Sequence, residues 1–173
     1  MELKAKVTVL GDNGVGKTSL ILRYVRNEFT ETYKPTLGAD FMVKKLEIED
    51  HPGDSITLAI WDLAGQEDFT QLHDYYLVGT VAAIICFDIT DRSTFEHVPN
   101  WIAEIKKICG DIPYILVGTK RDLEDERQVT EDEMTIFADS VRPSSVCCFE
   151  TSSRTYVNIN ELFQYIVDNY LCN

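Results

Sequence analysis

The sequence is short of basic residues, of histidines and of long apolar runs, and each shortage removes a class of function. Lysine and arginine number 16 against 29 aspartates and glutamates, a net charge of −13. A chain this acidic offers no electrostatic footprint for nucleic acid and is repelled by an anionic membrane surface. The Lys44–Lys45 and Lys106–Lys107 pairs are too small to alter that and read as solvated faces. No apolar run approaches the ~20 residues that span a bilayer. The amino-terminal MELKAKVTVL leads straight into a strand-like segment without a signal-peptide pattern. The three histidines, His51, His73 and His97, fall at a turn, a loop and a helix surface, with no Ser/His/Asp or Cys/His arrangement near them. They read as ordinary exposed histidines. The five cysteines are odd in number and lack zinc-ligand spacing, which points to reduced, mostly core thiols in a cytoplasmic protein. Repeats, low-complexity tracts and linkers are missing too. With 173 residues, 45% apolar and 26% charged, the chain fits one globular domain over 1–173.

What is present is an alternation of short apolar runs and amphipathic segments. A strand ending at Leu10 is followed at once by glycines and then by a helix over 18–25. Residues 41–49 and 55–61 read as two strands joined by a turn around His51-Pro-Gly-Asp54; Ile56, Leu58 and Ile60 alternate with Thr57 and Ala59. The runs 81–87 and 114–117 are strands buried on both faces, and 146–149 is a last strand. Ser93 with Glu96, and Thr130 with Glu133, have capping-box spacing. The first opens a helix with Phe95, Val98, Ile102 and Ile105 on one face; the second opens a helix ending near Ser140. Ile159, Leu162, Phe163, Ile166, Val167 and Tyr170 form the stripe of a final amphipathic helix. The acidic stretch from Glu124 to Glu133 reads as a solvated loop and helix start. The predicted fold is α/β: a three-layer sandwich with a six-stranded, mostly parallel sheet, one antiparallel edge pairing and helices on both faces. Ligands in such folds bind beyond the carboxyl ends of the strands.

The chemically suggestive residues fall at those ends. Gly11-Asp-Asn13-Gly14-Val15-Gly16-Lys17-Thr18 fits GxxxxGK[ST] between strand and helix. Its glycines let successive amides, through Ser19, point at phosphate oxygens, aided by the helix dipole. Lys17 supplies a charge to the β- and γ-phosphates, and the Thr18 hydroxyl is placed to ligate Mg²⁺. Asp62-Leu-Ala-Gly65-Gln66 follows the next strand. There an aspartate organises Mg²⁺, Gly65 brings its amide to a terminal phosphate, and Gln66 orients a water. Thr119-Lys120-Arg-Asp122 ends a buried strand. Its aspartate accepts from both N1–H and the exocyclic amine of guanine, a donor pair adenine lacks, while the Lys120 stem covers the ring. Glu150-Thr-Ser152-Ser153-Arg154 places backbone amides within reach of the guanine O6.

These four elements, in this order and spacing, resemble the Ras superfamily of small GTPases over essentially the whole chain. The resemblance implies that Thr36, in YKPTLGADF, ligates Mg²⁺ and reports the γ-phosphate, that Phe29 flanks the base and that Tyr33 closes over the phosphates. It implies that Asp62 holds Mg²⁺ through water and that Gln66, with Lys17 and Thr36, carries hydrolysis of GTP. It makes 29–40 and 62–77 two switches, where effectors, exchange factors and activating proteins bind a monomer. LGADF, IWDLAGQEDF and Tyr75–Tyr76 resemble the Rab branch, which acts in membrane traffic and signalling. VGTKRDL resembles the Rho/Rac branch, but only 27 residues separate Asp122 from Glu150, too few for that branch's extra helix; Leu63 resembles the septation-control GTPases.

Two departures stand out. Asn13 occupies a position that is Gly in Ras and often Ser in Rab proteins. Its side chain is expected near the γ-phosphate, hindering an arginine finger from an activating protein. The carboxyl end, Tyr-Leu-Cys172-Asn, has neither a CaaX nor a paired-cysteine ending, so no direct membrane anchor is expected within this sequence. Peripheral membrane association would need a lipidated tail beyond it. Two other readings stay open. A P-loop kinase or ATPase would need an arginine-rich lid, and Asp122 argues for guanine instead. A nucleotide-holding interaction module that no longer hydrolyses is compatible with Asn13 and Leu63, though Thr18, Thr36 and Gln66 argue against it.

Overall fold

The structure, a computed structural model, describes residues 2–48, 52–65, 70–141 and 146–171. The expectations for His51, Gln66 and Cys172, and for the side chain of His73, lie outside the described residues. Six strands, β1 (Glu2–Leu10), β2 (Ala39–Glu47), β3 (Ser55–Leu63), β4 (Ala82–Asp88), β5 (Tyr114–Thr119) and β6 (Cys147–Glu150), form one sheet in the order β2-β3-β1-β4-β5-β6. β2 runs antiparallel to β3, with Ala39 opposite Leu63 and Glu47 opposite Ser55. Every other pairing is parallel. The β2–β3 turn closes with Ile48 N donating to Asp54 O (3.0 Å) and with Gly53 at φ +95°.

Side chains on a strand alternate between faces, so a strand covered on both faces must be apolar throughout. β4 shows this directly. Ala82, Ile84 and Cys86 enter a core with Leu20, Ile21 and Tyr24 of α1 (Lys17–Arg26) and Ile159, Leu162, Phe163 and Ile166 of α6 (Ile159–Ile166). Ala83, Ile85 and Phe87 enter a second core with Leu77 of α2 (Thr70–Leu77), Trp101, Ile102 and Ile105 of α4 (Val98–Cys109), and Met134 and Ala138 of α5 (Glu131–Ser140). Fully burying side chains such as Phe87 or Phe163 contributes about 1.5–3 kcal/mol each. Helices therefore cover both faces, as expected. Because β1, β3, β4, β5 and β6 all point the same way, the segments after them gather on one edge of the sheet.

Several local expectations are corrected. Ser93 does not cap a long helix. Asp91 caps a short α3 (Arg92–Glu96), accepting from Ser93 N (3.0 Å) and Ser93 Oγ (2.6 Å). A separate α4 begins after His97, with Pro99 in its first turn. Proline lacks an N–H and disrupts a helix interior but suits a first turn, so the break falls there. The Thr130–Glu133 box is present: Glu133 N donates to Thr130 Oγ1 (3.1 Å) and Thr130 N to Glu133 Oε2 (2.9 Å). The α-helical part of α6 stops at Ile166 and the chain continues as one wider turn through Leu171. Among the four described cysteines only Cys86 is fully buried, with its thiol pushed up to about 12 by that burial; Cys109, Cys147 and Cys148 are partly exposed and all four are free. Val81, read as strand, stands exposed before β4. Lys44, read as solvated, donates to Tyr24 O (2.7 Å) and lies over the Tyr24 ring. No helix among the described residues is long and apolar enough to cross a membrane.

Candidate functional site

The loop after β1 owes its course to glycine. Gly11 adopts φ +141° and a Cβ there would overlap the Cys86 carbonyl; Gly16, at φ +99°, ends the loop and enters α1. The amino end of α1 has no side-chain cap and no acidic residue in its first turn, while Arg23 and Arg26 occupy its last turn. α5, by contrast, has Glu131, Asp132 and Glu133 in its first turn besides its capping box. Unsatisfied N–H groups and the positive dipole end of α1 are thus left facing outward, which suits an anion. Lys17 is nearly buried, and its Nζ donates to Gly11 O and Asp12 O (2.8 Å each). Burial lowers its pKa, opposed by the charge of Asp62. A third N–H remains for a ligand.

Beside it, β3 ends later than the sequence pattern predicted. Asp62 still pairs with Val9 of β1 and Asp40 of β2, which fixes its direction. Its Oδ2 accepts from Thr18 Oγ1 and, at 3.3 Å, from Thr36 Oγ1; the two threonine hydroxyls are 2.8 Å apart. Burial pushes the Asp62 carboxyl up, while the hydrogen bond from Thr18, the Lys17 charge and the bond from Thr36 pull it down. Its other oxygen, Oδ1, is buried with no hydrogen-bond partner. Two hydroxyls converging on a carboxylate with an orphaned buried oxygen make a hard-oxygen donor set, the kind Mg²⁺ takes. Among the described residues no group of three or more His, Cys, Asp or Glu is placed to hold a metal ion.

At the far end, Lys120 follows β5 in the left-handed region (φ +62°), and its Nζ pairs with Asp88 Oδ2 at 2.5 Å. Asp122 Oδ1 accepts from Ser152 Oγ (2.6 Å), and Ser152 Oγ in turn accepts from Thr155 N (3.1 Å). Thr119 Oγ1 lies 2.5 Å from Val15 O and 2.9 Å from Phe87 O, tying this end to the phosphate loop. A cleft of about 720 Å³ joins the two ends. It is lined by Asn13 to Ser19, Phe29, Tyr33, Thr36, Gly65, Thr119, Lys120, Asp122, Ser153 and Arg154. Asp62 and Ser152 stand behind this wall and act on it through Thr18 and Asp122. Gln66 lies outside the described residues. The remaining site residues of the sequence reading are brought together.

Other neighbours had not been anticipated. Asn13 Oδ1 accepts from Tyr33 Oη (2.5 Å) at the cleft mouth, and Arg154 reaches Glu31 at 3.2 Å. The Asp12 side chain turns away toward α4, where Oδ1 accepts from Trp101 Nε1 (2.8 Å) and Oδ2 meets His97 Nδ1. His97 is therefore not a plain surface histidine. A signal existed: an acid inside an anion-binding loop needs a partner on its far side. Gly65 packs on the same loop, and a Cβ there would overlap the backbone of Gly11, Asp12 and Asn13. On β2, β3 and α2, Phe41, Trp61, Tyr76 and Tyr75 form a continuous aromatic row. Phe41 and Tyr75 are exposed.

The fold and cleft define a P-loop nucleotide-binding protein. The Ras family model matches residues 6–172. Ras-related protein Rab-7a of Dictyostelium discoideum is 37% identical over 169 residues, covering 95% of this chain and 81% of that protein. Ras-related protein Rab-21 of Homo sapiens is 43% identical over 159 residues, covering 91% and 68%. Ras-related protein Rab-13 of Rattus norvegicus is 37% identical over 167 residues, covering 96% and 79%. The chain belongs to the Ras family of small GTPases and is Rab-like.

Proposed function

We propose that this chain binds GTP and GDP with Mg²⁺, hydrolyses GTP slowly, and changes its switch surfaces as it does so. The observation that carries this reading is one cleft with the phosphate loop at one end and Lys120 with Asp122 at the other. Asp122 takes the guanine N1–H and exocyclic amine, and the backbone of Ser152, Ser153 and Arg154 serves O6. Charge-assisted hydrogen bonds of this kind contribute about 1.5–3 kcal/mol each. Phe29 flanks the base. Amides from Asn13 to Ser19, with the Lys17 ammonium, hold the phosphates, and Tyr33 closes over them. Thr18, Thr36 and Asp62 hold Mg²⁺, which when bound neutralises charge on the β- and γ-phosphate oxygens. Gln66 orients the attacking water, and Gly65 offers its amide to the γ-phosphate. Hydrolysis then rests on positioning and charge stabilisation with no covalent intermediate. Without an arginine supplied in cis, turnover is expected on the order of 10⁻⁴–10⁻³ per second, a range borrowed from Ras itself.

Effectors, exchange factors and activating proteins bind the switches at 29–40 and 62–77, beside an aromatic row whose Phe41 and Tyr75 are exposed. Rab-like sequence supports a monomer at work in membrane traffic, in the cytoplasm or peripherally on a membrane. Asn13, bonded to Tyr33 at the mouth, weakens the response to finger-type activators; a large acceleration that is unchanged in Asn13→Gly would remove that part. The main test is single-turnover GTP hydrolysis by the Mg²⁺-loaded protein beside Gln66→Leu. Slow phosphate release that falls at least tenfold in the variant supports the reading; equal rates would take Gln66 out of it.

A further inference from the structure

Behind the base end of the cleft lies an ion-pair hub that the nucleotide-binding reading does not use. Glu150, the last residue of β6, has a side chain only 5% exposed, yet it is a carboxylate. Arg127 grips it bidentately: Nη1 donates to Oε1 (2.6 Å) and Nη2 to Oε2 (2.8 Å). The remaining guanidinium hydrogens go to Val129 O (2.9 Å) and to the two carboxylate oxygens of Glu124 (2.8 and 2.6 Å). All five donors of Arg127 are therefore satisfied, which holds the group in one orientation. The Glu150 carbonyl accepts from Asn158 Nδ2 (2.7 Å), a residue held in the left-handed region at φ +58°. Such a hub fixes geometry more than it adds stability, because a buried pair roughly repays its own desolvation.

What it fixes is the loop pair that faces the base. Arg127 lies five positions after Asp122, and Glu150 two before Ser152. Between them run Thr151 N to Gly118 O (2.8 Å), Arg121 N to Thr151 O (3.0 Å) and Ser152 Oγ to Asp122 Oδ1 (2.6 Å). Gln128 N and Val129 N both donate to Ile89 O, so the Arg127 segment is also held to the end of β4. We propose that Arg127, through its grip on Glu150, is a positioning residue for base recognition that holds Asp122 and Ser152 in reading geometry. This rests on Asp122 being the guanine-binding residue. A shifted Asp122 loses its bond to the exocyclic amine first, so discrimination falls more than phosphate binding does.

The readout is the ratio of affinities for GDP and for inosine diphosphate, which lacks the exocyclic amine. It is measured with Mg²⁺ on the full chain, with thermal unfolding in parallel. In Arg127→Met the ratio is expected to fall at least fivefold, while affinity for inosine diphosphate falls less than threefold. Because Arg127→Met leaves the buried Glu150 only the looser Arg121 pair at 3.9 Å, which threatens folding, Arg127→Met/Glu150→Gln is tested beside it. That double variant should unfold near the wild-type temperature yet keep the reduced ratio. Arg127→Lys, which keeps the charge without the fork, should fall between. Both affinities dropping equally, or a ratio unchanged in the folded double variant, would overturn the proposal. So would an unfolded double variant, because the pair would then be a folding requirement. Asp122→Ala in the same assay separates the two layers: an unchanged ratio there removes the base reading itself, whereas a collapsed ratio leaves only the role of Arg127 at issue.

Discussion

The two ends of the cleft are built in opposite ways. At the base end, Lys120, Asp122 and Ser152 leave the ends of β5 and β6 and are braced by Asp88, Thr155 and the Arg127–Glu150 pair. At the other end, Tyr33 and Leu37 sit on a stretch without regular structure and are exposed. That stretch is fastened by side-chain contacts of Thr36, of Tyr33 with Asn13 and of Glu31 with Arg154. Exposed segments with few buried contacts open at low free energy, whereas cross-braced strand ends do not. On the proposed function, the braced end holds a base in every state and the exposed end responds to a single phosphate. A switch needs both, because a ligand shifts an equilibrium only through differential contacts.

The largest effect should come from the base end. Asp122→Ala removes two charge-assisted hydrogen bonds, about 1.5–3 kcal/mol each, so GDP affinity should drop by roughly 10²–10⁴ while the weak binding of ATP barely moves. A loss under tenfold by nucleotide titration would mean that this end does not select the ligand. Next is Gly65→Ala, whose Cβ would overlap the phosphate-loop backbone. It should weaken a non-hydrolysable GTP analogue by about tenfold or more and GDP less, since a Pro- or Gly-type backbone conflict of this kind is among the larger single-residue effects. Equal losses for both nucleotides would place Gly65 in the loop's general support. Smaller still are Asn13→Gly and Tyr33→Phe. Each removes one hydrogen bond, about 0.5–1.5 kcal/mol, so GDP should leave up to about tenfold faster, and the double variant should be no faster than either single one. Additive rates would show that the two residues act separately.

The smallest effect lies away from both ends and serves as a reference. The backbone and hydroxyl of Thr130, with the Arg92 guanidinium, hold the Glu133 carboxyl down to about 2. A depressed carboxyl stabilises the fold fully above its ordinary value near 4.5 and loses that contribution as pH falls through about 2. The urea midpoint of Glu133→Gln should therefore lie slightly below wild type at pH 7, and the gap should narrow toward pH 2. A gap that widens on acidification would contradict the sign.

The reach of the sequence follows from distance along the chain. The strand, glycine loop and helix around Gly11 to Thr18, the Thr130–Glu133 box and the apolar stripe from Ile159 to Tyr170 are local patterns, and each is present, although the stripe outlasts α6. The break between α3 and α4 was also local, but Ser93 with Glu96 masked it. Asp91 is the stronger cap because its carboxylate accepts from both Ser93 N and Ser93 Oγ. Leu63 ends β3 two residues beyond the alternating run because Asp62 pairs with Val9 and Asp40, a tertiary fact. Asp12 with His97 and Arg127 with Glu150 lie 85 and 23 residues apart and carry no periodic signature. Thr119 shows a subtler limit. Its place at the head of the Thr119-Lys120-Arg-Asp122 element is visible in the sequence, but not that its hydroxyl lies within reach of the Val15 and Phe87 carbonyls.

The difference between the two ends can be measured directly by amide hydrogen exchange on the protein loaded with Mg²⁺ and either GDP or a non-hydrolysable GTP analogue. Replacing GDP by the analogue should slow exchange at least tenfold over residues 29–38 and leave 119–123 and 150–158 unchanged within error. Equal exchange over 29–38 in the two states, or a change centred on the base loops, would contradict the account.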